Sequence, residues 1–187
     1  VSSATFSTSW PVKSANKPRQ IDLPPNVIET DLENIVNNPD IDIVVELLGG
    51  LEPARTLILK AIANKKHIVT ANKAVMALYG DEIYKKACIA GVYVLLEAAV
   101  GGGIPIVKAL KQSLSANRIE SIVGIVNGTT NYILTKMASE GTDFEKVLME
   151  AQKLGYAEAD PSADIDGLDA ADKITILASL GFGMQIN

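Results

Sequence analysis

Residues 41–50 read IDIVVELLGG, from Ile41 to Gly50. An apolar, β-branched run of strand length that halts at paired glycines is the pattern of a strand buried on both faces of a parallel sheet. Just upstream, Thr30 and Glu33 have the spacing of a capping box. They predict a short helix carrying Leu32, Ile35 and Val36 that Asn37-Asn38-Pro39 ends. Downstream, Pro53 sits where a first helical turn tolerates it, and Leu57, Ile58, Ala61 and Ile62 follow at helical spacing. A strand at 67–71, a helix near 81–90 and a strand at 92–97 continue the rhythm. The order β-α-β-α-β implies parallel strands and the repeating unit of a doubly wound sheet.

The rhythm changes after Gly101-Gly102-Gly103. A helix is expected over 105–115, a strand over 119–126, and helices near 130–139, 143–154 and 169–180. The reading is α/β: a partial Rossmann-type sheet over residues 1–103, then an α+β part over 104–187. Residues 1–27 are rich in Ser, Pro and Lys and read as a loop or a weakly supported strand.

Composition narrows the function. The chain has 187 residues, 48% of them hydrophobic and 21% charged, which is enough for a sizeable core. A net charge of −5 and no basic stripe argue against a nucleic-acid partner. Cys88 is the single cysteine, which excludes internal disulfides and points to a reducing, cytoplasmic setting. No apolar run approaches the roughly 18 residues of a membrane span. Cys88 falls inside an expected helix and reads as a buried structural thiol. His67, the lone histidine, reads as solvated or hydrogen-bonded rather than as a ligand or base.

In doubly wound sheets, ligands sit off the carboxyl ends of the strands. Those ends carry Gly49-Gly50, Lys73 in TANKA, and Glu97 before AAVGGG. Neither glycine cluster matches GxGxxG. Glu97 among backbone carbonyls is oxygen-only chemistry, suited to a hard cation.

The stretch 155–173, GYAEADPSADIDGLDAADK, packs six carboxylates ahead of one lysine. An EF-hand register fails, because Ser162 would be its first ligand and Lys173 would stand in place of the bidentate Glu. Asp166 is positioned to cap the final helix. Along that helix Asp169, Lys173, Ile176, Leu177 and Leu180 fall on one stripe. An Asp–Lys pair on an apolar face reads as buried or cleft-lining, a placement concentrated at functional sites. The acidic loop before it, with Gly155, Glu158 and Asp164, suits an ammonium ligand.

GYAEADPSADIDGLDAADK, EAAVGGGIPIVKAL, TANKA and NGTTNYIL together resemble the homoserine dehydrogenase family, over about residues 40–181. The resemblance implies an oxidoreductase using NADP or NAD to interconvert L-homoserine and L-aspartate 4-semialdehyde, in the branch leading to threonine, methionine and isoleucine. It also implies a homodimer. By position, Glu158, Asp164, Asp169 and Thr129 resemble substrate-binding residues. Lys173 resembles the proton donor, supported by Lys73 and Asp169, and Gly49, Gly50, Lys73 and Gly155 resemble coenzyme contacts. Glu97 with the carbonyls of Val100, Gly102 and Ile104 resembles a monovalent-cation site, usually sodium. The chain departs from the family in lacking the opening GxGxxG unit and the closing return to the nucleotide domain, and in carrying Ala163 where some relatives have an acid. A rival reading keeps the acidic pocket in a non-catalytic amino-acid-binding module. A same-fold rival, an aldehyde dehydrogenase acting through a thiohemiacetal, needs an exposed cysteine, and the mid-helix place of Cys88 argues against it.

Overall fold

The computed structural model describes residues 9–11, 27–184 and 186. The expectation for Ala4 to Phe6 lies outside them. The chain divides into two compact units, Val1–Leu96 and Glu97–Asn187.

In the first unit, short strands β1 (Trp10–Pro11) and β2 (Ile28–Glu29) pair in parallel. Helix α1 (Leu32–Asn37) follows. Its cap is Asp31, whose side chain accepts from the Glu33 N–H, so the helix starts one residue later than a Thr30 capping box would set it. Strands β3 (Ile43–Glu46), β4 (His67–Thr70) and β5 (Val94–Leu95) form a parallel sheet in that order. Helix α2 (Ala54–Ala63) joins the first pair and α3 (Lys73–Ala90) the second. The doubly wound repeat is therefore present. Helix α2 buries Leu57, Ile58, Ala61 and Ile62, the stripe its spacing predicted. Helix α3 begins eight residues before the expected one, at Lys73, because Asn72 caps it by accepting from the Val75 N–H at 3.2 Å.

Two burial expectations are corrected. Ile43 and Val45 are 56% and 58% exposed, so β3 is covered on one face only. They line a groove of about 540 Å³ with Leu32, Ile35 and Val36. Alternation thus operates in a run that looked uniformly buried, because α2 lies against one side of the strand. Cys88 is exposed rather than buried, since α3 turns Ala87 inward and leaves its neighbour facing solvent. His67 behaves as expected: its Nδ1 accepts from the Tyr93 N–H at 3.0 Å and its ring stacks on Tyr93.

The second unit is helical among the described residues. A 3₁₀ turn at Glu97–Ala99 leads to α4 (Ile106–Lys108), which widens into a π turn over Ala109–Ser113. Helices α5 (Gly128–Glu140), α6 (Phe144–Lys153), α7 (Ser162–Ile165) and α8 (Leu168–Phe182) complete it. Ile133, Val147, Ala151 and Ala157 form a core cluster between α5 and α6. The strand expected over 119–126 does not form; Val123 is 95% exposed. A β-branched run needs a ladder partner, and the second unit offers no strand among its described residues. No helix among the described residues is long and apolar enough to cross a membrane.

Candidate active site

At the carboxyl ends of β3 and β4, the buried Glu46 carboxylate accepts from the Thr70 hydroxyl at 2.6 Å and the Leu48 N–H at 2.7 Å. The Asn72 side-chain amide donates to the Gly50 carbonyl at 2.7 Å and reaches Glu46 Oε1 at 3.5 Å. Gly49 and Gly50 both have positive φ, +73° and +68°, and an added Cβ on either would meet open space. The turn therefore presents bare backbone and is tied to the strand end by a polar network. Lys73, half-buried, is the first residue of α3 rather than part of a loop. A cation at a helix N-terminus opposes the macrodipole, so helix stability does not account for a lysine there.

The second unit holds the acid–lysine pair. Lys173 Nζ donates to Asp169 Oδ2 and to the Val126 carbonyl, both at 2.6 Å. Asp169 is only 9% exposed and Lys173 is part-buried, as the stripe along α8 predicted. Val126 ends the irregular segment, so the segment contributes an acceptor although it is no strand. The Asn127 side-chain amide donates to Asp164 Oδ1 at 2.7 Å and to Asp169 Oδ2 at 2.9 Å. Asp164, Asp169 and Lys173, spread over α7 and α8, are thereby brought into one hydrogen-bonded cluster. Asp166 does not cap α8: it closes α7, and Gly167, at φ +80°, precedes α8 without a side-chain cap.

Thr129 is buried, with its hydroxyl donating to the Tyr156 carbonyl at 2.8 Å. Glu158 is exposed, and its backbone carbonyl accepts from Gln152. Gly155 forms a positive-φ turn after α6, its N–H donating to the Gln152 carbonyl. The Glu97 carboxylate accepts from the Val107 N–H at 3.0 Å and the Lys108 N–H at 2.8 Å, satisfying amides at the start of α4. Val100 is buried, Gly102 has positive φ, and the carbonyl of Ile104 accepts from the Ile106 N–H.

Sequence reasoning missed four network members: Glu46, Thr70, Asn72 and Asn127. Two left a local trace. Asn72 and Asn127 each precede a helix, with Val75 and Thr130 three residues on, the N-cap arrangement. Glu46 was read as one residue of an apolar run, and nothing local marks its partner Thr70.

A parallel βαβ sheet with a glycine turn at its strand ends defines an α/β protein of the doubly wound class, and its second unit is helical and carries a carboxylate–lysine cluster. Two family models match the chain: the homoserine dehydrogenase NAD-binding domain over residues 8–97 and homoserine dehydrogenase over 105–187. The chain belongs to the homoserine dehydrogenase family. A homoserine dehydrogenase from a Synechocystis strain is 75% identical over 94% of this chain and 40% of its own length. The crystal structure of one from Thiobacillus denitrificans has a TM-score of 0.83 at 57% identity, covering 86% of this chain and 37% of that one. A hyperthermophilic archaeal homoserine dehydrogenase in complex with NADPH has a TM-score of 0.77 at 34% identity, over 83% of this chain and 48% of that one. The chain thus spans about 40% of the length of the curated relatives it matches. None of these matches favours a non-catalytic binding module.

Proposed function

We propose that the protein carrying this chain is an NAD(P)-dependent homoserine dehydrogenase, interconverting L-homoserine and L-aspartate 4-semialdehyde in amino-acid biosynthesis. Residues 1–103 belong to its coenzyme-binding part and 104–187 to its catalytic part. The observation that carries the reading is the Asp169–Lys173 pair. Two of the ammonium's three hydrogens go to Asp169 and Val126. The third is then aimed by the first two, which is what a positioned proton donor needs.

The nicotinamide coenzyme supplies or accepts the hydride when bound. The bare turn at Gly49-Gly50 and the cation of Lys73 fit such a group, since close backbone approach and positive charge suit a phosphate-bearing nucleotide. Gly155 is assigned a further backbone contact. In the reductive direction, hydride reaches the aldehyde carbon and Lys173 delivers a proton to the oxygen on which negative charge develops. Asp169 holds Lys173 and the substrate hydroxyl, Glu158 and Asp164 receive the substrate ammonium, and Thr129 supports the same pocket. We assign sodium to the loop of Glu97, Val100, Gly102 and Ile104, whose donors are all oxygen, with Glu97 sharing its carboxylate between the ion and the α4 amides. The functional form is assigned as a cytoplasmic homodimer.

The test is NADPH oxidation by the longest native polypeptide containing these residues, with aspartate semialdehyde as substrate. Semialdehyde-dependent turnover supports the assignment; homoserine binding without turnover overturns it. For the cation, the thermal midpoint in sodium chloride should exceed that in tetramethylammonium chloride at equal ionic strength. Equal midpoints remove the sodium assignment.

A further inference from the structure

We propose that Asn127 is the positioning residue of the acid–lysine site, its carboxamide setting the separation of Asp164 and Asp169 and thereby the aim of Lys173. The inference rests on the dehydrogenase reading of that site.

A carboxamide has two N–H donors and a carbonyl with two lone pairs. All four are used. The Nδ2 hydrogens go to Asp164 Oδ1 at 2.7 Å and Asp169 Oδ2 at 2.9 Å, while Oδ1 accepts from the Thr130 N–H at 2.8 Å and the Thr130 hydroxyl at 2.9 Å. The two Thr130 bonds orient the group, holding its carbonyl end to the start of α5 and its amino end to the acids. Reversing the amide would set its oxygen against two carboxylates, which only donors can approach favourably. Asn127 is 8% exposed, so water does not readily replace these bonds.

Asp169 Oδ2 accepts from Asn127 and, at 2.6 Å, from Lys173. Displacing the amide displaces the oxygen toward which the ammonium points. The second acceptor of Lys173 is the Val126 carbonyl, in the peptide that joins Val126 to Asn127. One short piece of chain therefore fixes Lys173 through its backbone and fixes the partner of Lys173 through its side chain. The amide also lies between two carboxylates that would otherwise repel across a short gap, donating one N–H to each.

A simple helix cap would need the carbonyl half of the side chain only. Ser and Asp cap about as well as Asn does, and Thr somewhat less well. None of them donates to two carboxylates. That difference separates positioning from capping: N127T keeps a cap acceptor and loses the amide donors, and N127D keeps the cap but places a third carboxylate beside Asp164 and Asp169.

Measured on the active native polypeptide, N127T should stay folded with a lowered thermal midpoint and keep its KM for NADPH, while kcat falls by about tenfold or more, the scale for misaiming a catalytic group. N127D should fall further. A crystal structure of N127T gives a readout that does not depend on turnover. The Asp164 and Asp169 carboxylates should move apart and Lys173 Nζ should leave its parent position. Unchanged kcat with an unchanged carboxylate separation in N127T overturns the inference. A parent protein with no semialdehyde-dependent turnover overturns the dehydrogenase reading instead, and the carboxylate separation then decides the role of Asn127 alone.

Discussion

Each unit contains an asparagine that caps a helix through its carbonyl and reaches a carboxylate through its amide. Asn72 caps α3 and Asn127 caps α5. The difference lies in what the amide hydrogens hold. Asn72 ties a backbone carbonyl, that of Gly50, and lies near a carboxylate already satisfied by Thr70 and Leu48. Asn127 ties two carboxylates, one of them paired with a lysine. The same residue at the same helical position thus fixes a piece of main chain in one unit and a set of charges in the other. A network that shapes backbone should act on coenzyme affinity and stability, and one that aims charges should act on turnover.

The largest expected effect tests the charged network. Lys173→Ala should lower kcat by about a hundredfold or more with little change in KM for the coenzyme, because the ammonium counts most when negative charge builds on the substrate oxygen. Steady-state kinetics decide it. Near-normal kcat would transfer the proton to Lys73 and reduce the Asp169–Lys173 pair to a structural one.

Next is the backbone network. Glu46→Ala removes the acceptor of the Thr70 hydroxyl and the Leu48 N–H in a buried setting, where an unsatisfied group costs about 1–3 kcal/mol. The thermal midpoint should drop and KM for coenzyme should rise, with kcat at saturating coenzyme nearly preserved. A Glu46→Ala enzyme that loses kcat and keeps KM would erase the contrast between the two asparagines. Smaller again is Gly50→Ala. Its φ of +68° costs an L-residue about 1 kcal/mol even though nothing crowds the new methyl, so the loss should appear as reduced stability and weakened coenzyme binding together.

The two networks were unequally legible in the sequence. The Asp169–Lys173 pair is local, four residues apart on one apolar helix stripe, so periodicity alone found it and foretold its burial. The Glu46–Thr70 bond spans a strand–helix–strand excursion, and its carboxylate sits in a run that reads as uniformly apolar. Only the parallel register that places Glu46 opposite Thr70 brings the two together. The α/β repeat was legible from the same periodicities, yet the covered face of β3 was not, because apolar content does not say how many layers will pack on a strand. The segment 119–126 failed for a related reason: β-branched residues express a strand preference only where a neighbouring strand completes the hydrogen bonds. Asn127 was visible as a cap, but its second task depends on acids 37 and 42 residues away.

The smallest expected effect concerns a cluster that neither network uses. Glu150 on α6 accepts from Lys136 Nζ at 2.8 Å and from the Tyr132 hydroxyl at 2.9 Å, both donors on α5. The Lys136 hydrogen bonds, then that of Tyr132, hold the Glu150 carboxyl below its ordinary pKa, while Glu150 and then Glu140 raise Lys136. A depressed carboxyl contributes stability that is fully present above its unfolded value and is lost as pH falls through the folded one. A raised lysine contributes below its unfolded value and loses the contribution as pH rises through the folded one. The clamp between α5 and α6 should therefore act across neutral pH and fade at both extremes. Glu150→Gln should lower the thermal midpoint only slightly at pH 7, because an ion pair this open to solvent is screened, and by less once pH falls through the lowered carboxyl pKa and the parent loses the same charge. A Glu150→Gln deficit that stays constant as pH falls until the parent carboxyl has titrated would show that the contact works through side-chain packing rather than charge. Because α5 starts at Asn127, any loss of kcat accompanying that deficit would mean that the stability of the helix, and not its cap alone, aims the acid–lysine site.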